Sequence, residues 1–199
     1  MVSSRFSRFA GVSAVLAGSI GLLYAISFVV LENSLLSGLF LMLGGLLATA
    51  ALTALFHRVR DVDPSLALWG LGLVIFAAMG SVIHGGYDLA NAINPPAIPN
   101  TDLPNPIDPR GLLTFGVSGI GLFVIAWLIG RTAGLPKGLS TLGYVLAVLS
   151  VILYVGRLIV LSPRNPLIFV PALLAGFVVY PLWYVWAGLV LWRGSSPSS

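Results

Sequence analysis

The residues of this chain best suited to chemistry gather in one stretch, "SVIHGGYDLAN", from Ser81 to Asn91. It carries one of the chain's two histidines and one of its six acids. Successive residues of a helix turn by about 100°, so positions three and four apart share a face. Ser81, His84, Asp88 and Asn91 therefore fall on one stripe, with Tyr87 at its edge. A histidine beside a carboxylate can hold and release a proton, although no serine is clearly placed as a nucleophile for it. With Glu32 added, His84 and Asp88 form a three-ligand set of a kind that suits zinc.

A second polar face lies further along. Gly143, Ala147, Ser150, Tyr154 and Arg157 share one side of a helix. Arg157 stands four residues before Leu161, roughly 6 Å below the helix end at 1.5 Å per residue. Asp88 sits about as far below the end of its own helix. Matching depth predicts an Asp88–Arg157 ion pair facing the interior. His84, one turn deeper, would be its pH-sensing group, and Glu32 would lie within reach. Ionisable groups inside a membrane are functional candidates by default. The candidate ligand or ion-pair site is His84, Asp88, Arg157, Tyr154, Ser81, Tyr87, Asn91 and Glu32. The same groups also suit a structural pair that fixes helix order, or side chains that snorkel to the headgroups.

The elements that must position these residues follow from composition. Of 199 residues, 58% are hydrophobic and 8% charged, and the mean hydropathy is +1.02. A water-exposed surface requires far more charge. Apolar runs of about 20 residues cross a bilayer as helices, and the alternation of a membrane β-barrel is missing. The expected fold is all-α: one domain of six transmembrane helices, at about residues 9–31, 35–56, 64–91, 109–130, 138–161 and 166–192. "DPS" at Asp63, "DPR" at Asp108 and "NPL" at Asn165 mark three helix starts, each a capping side chain followed by a proline in the first turn. The first span follows Arg5 and Arg8 as a signal peptide would. Its apolar run is longer, and no A-x-A site follows, so it reads as a retained anchor.

Cation placement sets the expected orientation. With the N-terminus in the cytoplasm, Arg5, Arg8, Arg58, Arg60, Arg131, Lys137 and Arg193 lie inside, and only Arg110 and Arg164 lie outside. Both termini are then cytoplasmic, in a multi-pass protein of the plasma membrane. All five tryptophans fall toward the inner side, as an aromatic belt would. "ENS" makes a tight outer hairpin. The other outer connection, Ala92 to Arg110, holds six prolines and is stiff and extended, a connector or a lid over the outer end. The basic balance follows topology, so no nucleic-acid partner is implied. The bilayer is the certain surrounding, with a protein partner or a second copy as further company.

Small residues at helical spacing predict close helix crossings, because burial of leucine does not drive association in lipid. They are Ala14, Gly18, Gly21 and Ala25; Gly44 and Ala48; Gly143 and Ala147; Ala172 and Gly176. Pro171 and Pro181 can kink the sixth span; a kink near Tyr180 would open a cavity, although such prolines are more often simply accommodated. "AGLPK" predicts a helix stop at Gly134. The segment "RTAGLPKGLSTLGYVLAVL", Arg131 to Leu149, resembles a loop and following helix in a family of small bacterial six-helix membrane proteins catalogued as a domain of unknown function. "FAGVSAVLAGSIGLLYA" is similar more loosely. The resemblance implies a six-helix bundle and no catalytic residues.

Several chemistries are excluded. The chain has no cysteine, hence no thiolate site. His57 and His84 lie at opposite depths and cannot share a haem. Lys137 is in a loop, so no retinal Schiff base forms. No H-E-x-x-H, G-x-S-x-G or Walker pattern occurs. No cofactor is assigned. The expected function carries no assignable catalysis: a structural or accessory subunit, or a small-ligand binder with an outward-facing polar pocket. The rival is a transporter or intramembrane enzyme using His84, Asp88 and Arg157.

Overall fold

The computed structural model describes residues 3–95, 110–160 and 164–194. Ten helical pieces make up six membrane-length helices. The first joins α1 (Ser4–Ala25) to a π-helical end, π1 (Ile26–Val30). α2 (Ser34–Val59) and α3 (Pro64–Ile93) follow. The fourth begins with π2 (Leu112–Val117) and continues as α4 (Ser118–Arg131). α5 (Lys137–Ile159) is the fifth. The sixth runs through α6 (Pro166–Leu173), π3 (Leu174–Val179) and α7 (Tyr180–Arg193). All six are long and apolar enough to cross a membrane.

The helix starts have local causes. Asp63 Oδ1 accepts from Leu66 N at 2.9 Å, and Asn165 Oδ1 from Leu167 N at 3.0 Å, each with proline in the first turn. Asn33 caps α2 in the same way through Leu36 N at 3.0 Å. The "DPR" start at Asp108 lies outside the described residues. Gly134 has φ +83°, the left-handed backbone expected of it and one that a Cβ resists.

The six helices form a ring in chain order. α1 packs on α2 and α7, α2 on α3, α3 on α4 and π2, α4 on α5, and α5 on the sixth helix. Closest approaches fall at glycines. A Cβ on Gly11 would stand 2.9 Å from the Gly188 carbonyl, and one on Gly18 2.9 Å from the Pro181 carbonyl. Gly38 and Gly85 bring α2 and α3 together, where a Cβ on Gly85 would sit 2.5 Å from Gly38 O. Backbone contact this close is how helices associate without a hydrophobic drive.

The ring is filled unevenly. Near the termini its centre is occupied by Leu55, Ile125, Leu128, Ile129, Leu139 and Trp183, all fully buried. Trp183 corrects the expected aromatic belt: it is core, and its Nε1 donates to the Leu139 carbonyl at 3.1 Å. Indole N–H groups buried in apolar surroundings need such an acceptor. Pro171 and Pro181 bracket π3. A proline removes a backbone donor, and local π geometry accommodates that loss. The expected opening at Tyr180 is filled, since its ring packs onto Gly21.

Candidate functional site

The polar site lies at the end of the bundle opposite the termini, the distal end. Helix α3 reaches it at Ser81 to Asn91. Gly80 and Gly85 explain the small residues interleaved with the polar ones. Leu113 of π2 packs on Gly80, and Gly85 touches α2. The glycines let α3 sit tightly between α2 and π2, which fixes where the intervening side chains emerge.

His84 emerges toward π2. Its Nδ1 lies 3.2 Å from Thr114 Oγ1, and its Nε2 lies 3.6 Å from Asp88 Oδ2, one turn on. Asp88 Oδ1 accepts from Arg110 Nη1 at 2.9 Å. The same guanidinium lies 4.4 Å from the centre of the Tyr87 ring, and its Nη1 reaches the His84 carbonyl at 3.4 Å. Arg110 precedes π2 directly, so the cluster ties the end of α3 to the start of the fourth helix.

This corrects the expected Asp88–Arg157 pair. Depth alone matched those residues, but π2 and α4 stand between α3 and α5 in the ring. Arg110 reaches Asp88 from the adjacent helix. Arg157 turns to its own helix end, with Nη1 3.4 Å from the Val160 carbonyl. Tyr154 packs on Gly116, the α5-facing side of π2. Ser81 donates to the Ala77 carbonyl at 3.3 Å and lies against Gly45 of α2. Tyr154 and Ser81 thus make their contacts elsewhere, whereas His84, Tyr87 and Asp88 are in the cluster.

Asp88 also looks the other way, into a half-open cavity of about 440 Å³. The end of the first helix lines it with Phe28 and Glu32. The start of α2 contributes Asn33, Ser34 and Ser37, and α3 contributes Asp88, Asn91 and Ala92. Phe28 stacks on Tyr24 with ring centres 5.8 Å apart. Glu32 has φ +48°, which turns the chain sharply into the Asn33 cap. Its Oε1 lies 3.9 Å from Arg164 Nη2, an exposed pair linking two distal connections. The His84–Asp88–Glu32 metal site is not assembled. Among the described residues no group of three His, Asp or Glu side chains could hold a metal ion. Asp88 is drawn to Arg110 and Glu32 to Arg164 instead.

The site therefore joins two parts at Asp88: an ion-paired latch on one side and a polar cavity on the other. Sequence reasoning found His84, Tyr87, Asp88, Asn91 and Glu32. It missed Arg110, Thr114, Phe28 and the first turn of α2. The signal for Arg110 was available, since it is the cation in the first turn of the fourth expected span. Comparison with family models, curated proteins and solved structures returned no match to the chain.

Proposed function

We propose that the chain is a multi-pass protein of the plasma membrane, with both termini cytoplasmic, that binds a small polar molecule at its outer end and catalyses no reaction. The observation that carries this reading is the cavity of about 440 Å³ between the α1–α2 hairpin and α3. Its size is that of small-ligand sites, and it gathers carboxylate, amide and hydroxyl groups beside the Phe28 ring. The termini half offers the contrast, being closed by large apolar side chains. The seven-to-two excess of cations at the termini end supports the orientation.

One experiment tests location and occupancy together. The chain lacks cysteine, so Ala92→Cys places a single thiol in the cavity wall. In intact cells it should react with a membrane-impermeant maleimide, while Ser195→Cys should react only after permeabilisation. Native mass spectrometry of the protein in lipid nanodiscs should show a small-molecule adduct that Ser34→Trp removes. Labelling of Ser195→Cys in intact cells would overturn the orientation. Absence of any adduct would overturn ligand binding.

A further inference from the structure

The lining of the distal cavity says more than that it is polar. Among the described residues its polar groups are all carboxylates, amides and hydroxyls, with no Lys, Arg or His in the wall. An anionic ligand would face Glu32 and Asp88 with no opposing charge. Like charges repel, and a carboxylate binds nothing negative. A cationic ligand is disfavoured for a different reason. Asp88 already holds Arg110 at 2.9 Å, and Glu32 lies 3.9 Å from Arg164. Asp88 is thereby balanced in charge, whereas Glu32, in an exposed pair, is only loosely screened, so the ammonium probes below decide between a cation and a neutral ligand.

Charge balance does not exhaust hydrogen-bonding capacity. A carboxylate offers about four acceptor sites. Asp88 commits Oδ1 to Arg110, while Oδ2 lies 3.6 Å from His84, beyond ordinary hydrogen-bond length. Ser37 is a second, independent pointer. It lines the cavity yet is only 5% exposed. Its hydroxyl donates to the Ser34 carbonyl at 3.2 Å, which leaves its oxygen lone pairs to accept from an occupant. Asn91 adds an amide that both donates and accepts. Phe28 adds an apolar ring, held against Tyr24. Carboxylate, hydroxyl and amide acceptors with an amide donor beside an aromatic face match a ligand rich in hydroxyls with one C–H face.

We infer that the occupant is a neutral polyhydroxylated compound, a sugar or cyclic polyol, either free or as the headgroup of a glycolipid. This rests on the reading of the cavity as a ligand site. Asp88 and Ser37 would accept from its hydroxyls, Asn91 would donate to a ring or hydroxyl oxygen, and Phe28 would pack on its C–H face. Asp88 then couples the ligand to the Arg110 latch, because one carboxylate serves both.

The test uses the full chain in phospholipid nanodiscs. Glycosidic detergents are avoided, because a maltoside headgroup is itself a polyhydroxylated ligand. Thermal unfolding is followed against four probe classes: glucose and myo-inositol, a monoglucosyl diacylglycerol added to the nanodisc lipid, tetramethylammonium and ethanolamine, and acetate and phosphate. A saturable rise in midpoint with the free sugars, or with the glycolipid alone, supports the inference and identifies the source. Asn91→Leu should then weaken the apparent affinity about tenfold, the equivalent of one good hydrogen bond. Ser34→Ala, a second wall variant, guards against a folding defect in the first. Stabilisation by the ammonium or anionic probes without the polyols overturns the ligand class and leaves the cavity reading standing. No response to any probe, together with a native adduct whose mass is not a polyol, does the same. No response and no adduct overturns both.

Discussion

The Asp88–Arg110 contact gives the sharpest quantitative expectation. The two side chains are about a third and a quarter exposed, at 35% and 26%. Unit charges about 4 Å apart attract by about 4 kcal/mol at an effective dielectric constant of 20. Removing them partly from water offsets most of that, and fully exposed pairs retain only about 0.2–1 kcal/mol. A pair at this intermediate exposure should couple by about 1–2 kcal/mol. Arg110→Met should cost more than Asp88→Asn. It also loses the contact over the Tyr87 ring, worth about 0.5–1 kcal/mol at such sites. The measurement is a double-mutant cycle on reversible unfolding in mixed micelles, with the denaturing detergent as titrant. The double variant should recover the coupling energy relative to the sum of the single losses. The control cycle pairs Asp88→Asn with Arg157→Met. Those sites are on helices that are not neighbours in the ring, so their losses should add to within about 0.5 kcal/mol. Additivity in the first cycle, or coupling in the second, would refute the assignment of Arg110 as the partner of Asp88.

Two further outcomes follow from backbone geometry. Gly85→Ala puts a Cβ 2.5 Å from both Gly38 O and Met42 N, so α2 and α3 must separate, at a cost of about 1–3 kcal/mol; an unchanged midpoint in the same unfolding assay would mean that the helices are not in backbone contact there. Gly134→Val meets no neighbouring atom within 4 Å and acts through φ +83° alone, so it should cost about 1–2 kcal/mol, with Gly134→Asn milder because asparagine tolerates that backbone.

The helix starts at Pro64 and Pro166 and the stop at Gly134 were legible because each depends on local sequence. Asp63 and Asn165 cap their helices through their own third and second neighbours, and Gly134 stops a helix by its own backbone angle. Small-residue stripes likewise gave the crossing faces, as Gly18 against Pro181 and Gly143 against Ala126 and Trp183 show. Partner choice was less legible. Depth in the membrane is a one-dimensional property and could be read for Asp88 and Arg157. Adjacency around the ring is a property of the whole bundle, and it handed Asp88 to Arg110. The π segments were hidden for a related reason. π3 is flanked by prolines that mark it, but π2 carries no breaker other than Gly116, on which Tyr154 of α5 packs, while its own Leu113 packs on Gly80 of α3. Trp183 was misassigned because a tryptophan near one interface has the same sequence signature whether it faces lipid or core. Only the Leu139 carbonyl in the core decides between them.

The distribution of polarity along the bundle connects these observations. A helix ring with a stripe of small residues on every member can close its centre completely, and near the termini this one does so with Leu55, Ile125 and Trp183. Toward the distal end the inward positions change character, to Ser37 on α2, His84 and Asp88 on α3 and Thr114 on π2. Polar groups at that level are costly unless each has a partner. Among the described residues no buried side-chain nitrogen or oxygen is left without one. Structural economy alone would favour replacing the whole set with apolar residues, since a satisfied ion pair adds little net stability over a packed hydrophobic one. Asp88 fastens α3 to the fourth helix through Arg110 and also lines the cavity, so one carboxylate stands at the junction of the two.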